Sequence, residues 1–393
     1  MTLDLDRLRA ETPGVGNCIH LNNAGAALMP APVIAAMKDH IDLEAAIGGY
    51  EAEAQEAARI EGVYDSVAAL IGADREEIAL MENATVGWDM AFYAFAFVPG
   101  DRILTARAEY AANYIAYLQI AKRTGAVIEV IPDDADGVLD PMALEAMIDG
   151  RVKLISITWI PTNGGLVNPA AEVGRVARAH GIPYLLDACQ AIGQLPVDVD
   201  TLGCDLLSAT GRKFLRGPRG TGFLYVRRAT LAGLEPPMID LFGATWTGPE
   251  SYTLRDDARR FETWENNYAA RLGLGVATDY AMAIGLEAIQ ERAFALADAL
   301  RAALREVPGL TIHDLGKRPC AIVSFAVEGI ESEAIEARLR DRGVNVSTSS
   351  AASTMLDAAA RGLPIVVRAA PHYYNSEDEI ANTAELVAEI AQE

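Results

Sequence analysis

Lys213 stands in Ser208-Ala209-Thr210-Gly211-Arg212-Lys213-Phe214, directly before a glycine-rich turn, Gly217-Pro218-Arg219-Gly220-Thr221-Gly222, and an apolar run, Phe223-Leu224-Tyr225-Val226. Upstream, the short apolar run Tyr184-Leu185-Leu186 ends in Asp187-Ala188-Cys189-Gln190. A carboxylate at one strand end and a lone lysine in the next loop are the two poles of a pyridoxal 5′-phosphate (PLP) site. In such a site the lysine forms a Schiff base with the cofactor aldehyde. The aspartate keeps the pyridine nitrogen protonated, so that the ring draws electrons.

A dianionic phosphate must also be held. The segment Glu82-Asn83-Ala84-Thr85-Val86-Gly87 follows an apolar run, Ile78-Ala79-Leu80-Met81, and is predicted to open a helix running to residue 97. Free backbone N–H groups and the helix dipole favour an anion there, with Asn83 and Ala84 in the cradle and Thr85 as N-cap and hydroxyl donor. Thr210 and Arg212 add a hydroxyl and a charge beside the lysine. Tyr110, in Glu109-Tyr110-Ala111-Ala112-Asn113, is placed to lie flat on the pyridine ring. Gln190 is expected to bond the phenolic oxygen, and Asn163, in Ile160-Pro161-Thr162-Asn163-Gly164-Gly165, to do the same or meet the substrate. Arg368 ends another apolar run and can clamp a substrate carboxylate with two parallel hydrogen bonds. Each residue has a plainer reading alone: a helix cap for Asn83 to Thr85, a half-buried tyrosine, an ion pair for Arg368. His372 reads as shaping a turn and Cys189 as packing. The set in this order favours the cofactor.

The elements that would position these residues read as α/β. From about residue 74 to 228, apolar runs at 102–105, 127–131, 154–158, 184–186 and 223–226 alternate with helical stretches at 114–124, 141–148 and 170–180. Near-continuous apolar strands separated by helices imply a mostly parallel sheet covered on both faces. Sites in such sheets form beyond the carboxyl ends of the strands, where Asp187 falls. From about 272 the pattern changes to a long helix (272–307, breaking near Gly285), short strands at 321–325 and 365–368, and helices near 331–342 and from 376. This is a smaller α+β unit. Residues 30–69 read as helical and 230–270 as a structured connection. The expected division is an N-terminal segment 1–20, a large domain 21–270 and a small domain 271–393.

Composition bounds the function. Of 393 residues, 51% are hydrophobic and the formal net charge is −22, so a nucleic acid backbone would be repelled. Cys18, Cys189, Cys204 and Cys320 show no CxxC spacing, which reads as reduced cysteines in a cytoplasmic protein with no metal centre. The first residues lack a basic and apolar leader, and no apolar stretch is long enough to span a bilayer, so no membrane partner is expected.

These residues in this order resemble the class V aminotransferase family of fold-type I PLP enzymes, over nearly the whole chain from His20-Leu21-Asn22-Asn23-Ala24-Gly25 to Arg368 and Tyr374-Asn375-Ser376-Glu377. That group includes cysteine desulfurases, isopenicillin N epimerase-like proteins and C–S lyases. The resemblance implies Lys213 as the Schiff-base lysine, Asp187 as the pyridinium partner and Gln190 at the phenolic oxygen. It also implies Tyr110 at the stacking position, Thr85, Thr210 and Arg212 at the phosphate, and Asn163 and Arg368 at the substrate. It further implies a homodimer with the site at the subunit boundary, where residues 260–267 would meet the partner.

One departure shapes the functional expectation. The loop before Arg368 reads Val346-Ser347-Thr348-Ser349-Ser350-Ala351-Ala352-Ser353-Thr354, without the cysteine that desulfurases carry there. Thiolate chemistry has no hydroxyl substitute at neutral pH. Cysteine desulfurase is therefore disfavoured, and the expected activity is an aminotransferase or a β-eliminating lyase acting on an amino-acid substrate, with an epimerase as the alternative. A nicotinamide dehydrogenase is disfavoured because no G-x-G-x-x-G follows the first strand. An inactive PLP-fold protein is disfavoured by the retention of Lys213, Asp187 and Arg368.

Overall fold

Runs of Ile, Leu and Val bounded by turn residues become strands in the computed structural model, which describes residues 3–393. Seven of them form the central sheet: β1 Ile78–Met81, β2 Arg102–Thr105, β3 Val127–Val130, β4 Val152–Thr158, β5 Tyr184–Asp187, β6 Leu206–Thr210 and β7 Gly222–Val226. Their spatial order is β1-β7-β6-β5-β4-β2-β3. All neighbours pair in parallel except β7, which runs antiparallel to both β1 and β6. Every residue of β1, β2, β5, β6 and β7 is buried, as a sheet with helices on both faces requires, whereas the edge strand β3 is partly exposed. The helices Ala111–Thr124, Pro141–Met147 and Ala170–His180 are the expected crossovers.

A second, antiparallel sheet of β8 Leu310–Ile312, β9 Val323–Val327, β10 Ser347–Ser349 and β11 Val366–Ala369 has the order β8-β9-β11-β10. The expected long helix is two, Tyr268–Ile284 and Leu286–Arg305, divided at Gly285, whose φ of 95° a side chain rarely adopts. The N-terminal helices Ala31–Ile47 and Gly49–Ile71 pack on Tyr268–Ile284. The short strand Ile19–His20 pairs in parallel with Val344–Asn345, so the start of the chain joins the C-terminal region. Residues 230–270 contain a hairpin of Ala244–Gly248 and Ser251–Leu254 that the sequence reading treats only as a connection. Its residues are mostly exposed, so no burial pattern marks it.

Candidate active site

The carboxyl ends of β1, β2, β4, β5 and β6 open into one cavity of about 320 Å³. Its lining includes Asn83, Ala84 and Thr85, then Tyr110, Thr162, Asp187, Cys189, Gln190, Arg212 and Lys213. Convergence at the strand ends is the expected location for a ligand in such a sheet.

Lys213 follows β6 in a tight return to β7. Gly211 N donates to Thr221 O at 3.0 Å, Gly217 N to Gly211 O at 2.7 Å, and Arg216 N to Lys213 O at 2.9 Å. Arg216 closes the turn at φ 62°, a strained conformation for a residue with a side chain. Its buried guanidinium compensates by donating to Leu28 O and Thr12 Oγ1, both at 2.7 Å, and by lying over the Tyr374 ring at 4.4 Å. His372 fixes the next residue: its Nδ1 accepts from Tyr373 N at 3.0 Å, so Nε2 carries the proton and donates to Phe214 O at 2.7 Å. Burial lowers the Lys213 ammonium below its ordinary pKa, and the guanidiniums of Arg212 and Arg368 push the same way. A half-buried amine so placed reaches its neutral, proton-accepting form more readily.

Asp187, at the end of β5, is buried, with Oδ1 accepting from Cys189 N at 2.9 Å and Oδ2 from Asn113 Nδ2 at 3.0 Å. Cys189 is half-buried on the cavity wall, and burial beside Asp187 pushes its thiol up to about 12, so it stays protonated. Gln190 donates to Ala24 O at 3.1 Å, leaving a buried side-chain oxygen without a partner at the cavity. Tyr110, between β2 and its helix, lines the cavity and is 40% exposed.

The phosphate end differs from expectation in its N-cap and in the length of its helix, which stops at Phe92 short of residue 97. The helix runs Ala84–Phe92, and its N-cap is Asn83, whose Oδ1 accepts from Val86 N at 2.9 Å. Thr85 lies inside the first turn, where its hydroxyl is free of the capping role. A Cβ on Gly222 would come within 2.5 Å of Ala209 O and 3.1 Å of Ala84 N, so only glycine lets β7 pass this close to the helix start. Arg212 Nη1 donates to Thr210 Oγ1 at 3.0 Å, and Arg219 and Gly220 complete the wall.

Arg368, on β11, reaches Thr162 on the cavity wall, donating from Nη1 to the Thr162 hydroxyl and carbonyl. Its Nε is buried without a partner, and among the described residues no carboxylate forms an ion pair with it. Burial lowers its pKa from 12.5 to about 10. Like Thr210 and Arg368, Asn163 is not among the residues lining this cavity, and its amide is taken up by a neighbouring loop. Its Nδ2 donates to Thr354 Oγ1 at 2.8 Å and to Ser350 O at 3.3 Å, and its Oδ1 accepts from Ser349 Oγ. It holds the hydroxyl-rich loop against the sheet.

Glu109, Asn113, Thr158 and Thr162 also belong to this site, and the sequence reading assigns them no role. Only their position just after β2 and around the end of β4 signals it. A lysine, a recessed carboxylate and a helix N-terminus lining one cavity, with Arg368 on the far side of Thr162, fit PLP: Asn83 to Thr85, Thr210 and Arg212 would hold its phosphate and Asp187 its pyridine nitrogen. When bound, the cofactor withdraws electrons from the bonds at the substrate α-carbon.

The fold and this site define a PLP-dependent enzyme of fold type I. The Aminotransferase class-V family model matches residues 19–382, and the chain belongs to that family. It is 30% identical to a probable cysteine desulfurase of Halobacterium salinarum over 99% of this chain and 97% of that one. A cysteine desulfurase of Serratia proteamaculans is likewise 30% identical, with 97% and 96% covered. The apo structure of a cysteine desulfurase from Thermococcus onnurineus superposes with a TM-score of 0.92 at 25% identity, covering 100% and 99%.

These relatives correct the functional expectation. The argument against a desulfurase rested on one missing thiol in residues 346–354, and proteins named as desulfurases match this chain along its whole length. The class expectation, a PLP-dependent enzyme of the transferase or lyase type, stands, while the exclusion of a desulfurase does not and the epimerase alternative finds no support. The physical weakness of the argument is that a loop thiol only receives sulfur. Lys213, Asp187 and Arg368, to which the sequence reading gives the activation of the substrate, are all present.

Proposed function

We propose that this protein is a PLP-dependent desulfurase that removes the sulfur of cysteine or a close cysteine analogue. The full-length likeness to proteins named cysteine desulfurases carries the reading. The geometry supplies the parts. Arg368, with its free Nε and Thr162 beside it, receives the substrate carboxylate. Lys213, lowered in pKa by burial, takes the proton from the α-carbon; an external thiol takes the sulfur while the C–S electron pair stays on carbon, and a proton returned there gives alanine. Asp187 would meet the pyridine nitrogen, and Tyr110 would cover the ring. Asn163 acts at the substrate end by holding residues 349–354 in place.

We also read the molecule as a cytoplasmic homodimer. The free cysteines support the compartment. Trp246, 79% exposed on the hairpin, and Trp264, in the segment beside Asn266 and Asn267, support a subunit contact near the cavity. The test is a cysteine assay with dithiothreitol present, so that the sulfur acceptor is not limiting. Stoichiometric alanine and sulfide are expected, and pyruvate with ammonia in place of alanine would overturn the reading.

A further inference from the structure

A second carboxylate, Glu109, lies behind the cofactor site and has no part in the chemistry above. It follows β2, is buried, and gathers five hydrogen bonds. Its Oε1 accepts from Tyr110 N at 2.8 Å, from Asn113 Nδ2 at 2.9 Å and from Thr158 Oγ1. Its Oε2 accepts from Thr105 Oγ1 and Thr158 N, both at 3.0 Å. Asn113 Nδ2 also donates to Asp187 Oδ2 at 3.0 Å, so one amide gives a hydrogen to each carboxylate. The two bonds keep those carboxylate oxygens within about 6 Å of each other.

Among the described residues no cation forms an ion pair with Glu109. The titratable groups facing it are Asp187 and Tyr184 on β5 and Tyr117 on the helix Ala111–Thr124, with Cys189 and Lys213 beyond Asp187. Burial keeps both phenols neutral at physiological pH. Burial, aided by Asp187, raises the Glu109 carboxyl to about 7. A fold that needed only an acceptor here could use a neutral amide. Instead five donors stabilise a negative charge next to the one that meets the cofactor.

We propose that Glu109 is a positioning residue of the cofactor site: through the shared Asn113 amide it fixes Oδ2 of Asp187 and adds a second negative charge behind the one facing the pyridine nitrogen. Two anions then hold one pyridinium, and neither the substrate nor the fate of its sulfur enters the argument. A unit charge at about 6 Å, in an effective dielectric of about 20, changes an equilibrium by on the order of a hundredfold. The intervening amide and cavity water reduce the expectation to about tenfold.

The experiment compares binding of PLP and of its 1-deaza analogue, which lacks the pyridine nitrogen, to the full-length wild type, Glu109→Gln and Asn113→Ala. Glu109→Gln is expected to weaken PLP about tenfold and to leave the deaza analogue within about twofold of wild type. Asn113→Ala breaks the bridge while Glu109 keeps its other four donors, and it should show the same selective loss. It carries the test alone if Glu109→Gln does not fold. Wild-type affinity for PLP should also fall, relative to Glu109→Gln, as pH drops through 7 and the carboxyl gains its proton. Equal weakening of both cofactors, or no change in either, would make Glu109 a packing residue and overturn the proposal.

Discussion

Replacing Arg368 by alanine separates a substrate clamp from a structural ion pair, because the two roles predict opposite effects on stability. Among the described residues the guanidinium is held only by the hydroxyl and carbonyl of Thr162, and its Nε has no partner. Its pKa falls from 12.5 to about 10, so burial works against the charged form in the folded state. Removing an uncompensated cation should leave the thermal midpoint unchanged or slightly raised. Breaking a buried salt bridge would instead destabilise by about 3–5 kcal/mol. Binding should respond in the other direction. When a substrate carboxylate completes the pair, deleting one partner costs about 2–5 kcal/mol, roughly thirty-fold to several thousand-fold in affinity. The assay is a spectral titration of the holoenzyme with L-cysteine and with unreactive L-alanine, beside a thermal melt. Arg368→Lys keeps the charge but loses the two parallel bonds, so its loss should fall between wild type and alanine. Because Arg368 helps to lower the pKa of Lys213, Arg368→Ala should also shift the basic limb of amine titration upward. Unchanged amino-acid affinity together with a lower melting temperature would refute the clamp.

Two further outcomes follow from the turn that carries the lysine. Lys213→Ala should abolish the visible absorbance of the holoenzyme and its turnover while leaving the fold intact, since the ammonium is unpaired by any carboxylate among the described residues; visible absorbance equal to wild type after dialysis would exclude Lys213 as the covalent anchor. His372 is fully buried with its pKa lowered from 6.5 to about 3. A group whose folded pKa is depressed contributes stability above its unfolded value, so this contribution is full above pH 6.5 and is lost as pH falls toward 3. The slope is about 1.4 kcal/mol per pH unit. His372→Gln should flatten the stability profile between pH 6 and 4 by about one proton, and an unaltered slope there would contradict a neutral imidazole.

Sheet strands were legible because they are buried on both faces, and an apolar run such as Tyr184-Leu185-Leu186 has few other uses. The hairpin at 244–254 was not, since exposed strands carry no apolar alternation. Site residues divide in the same way. Lys213, Asp187 and Arg368 are chemically scarce types at strand ends, so type and position point to one use. Glu109, Asn113 and Thr158 are ordinary residues there, and only three-dimensional convergence on Asp187 gives them meaning. Asn163 shows the opposite failure: its type and place suit substrate contact, yet the loop at 349–354 takes its amide.

The functional misreading has a related cause. The lack of cysteine at residues 346–354 bears on what accepts sulfur, whereas Lys213 and Asp187 lie elsewhere, at the ends of β6 and β5. The groups proposed to polarise the substrate lie at the ends of β5 and β6 and on β11, supported by turns whose strain is compensated locally, as at Arg216. These elements must keep their geometry for any PLP chemistry, while the loop above them is free to change. Whole-chain likeness therefore reports on the common machinery more strongly than a single loop position can argue against it. The cofactor is legible before the reaction because a lysine and an aspartate at adjacent strand ends suit every PLP reaction, so their types and positions cannot distinguish one outcome from another.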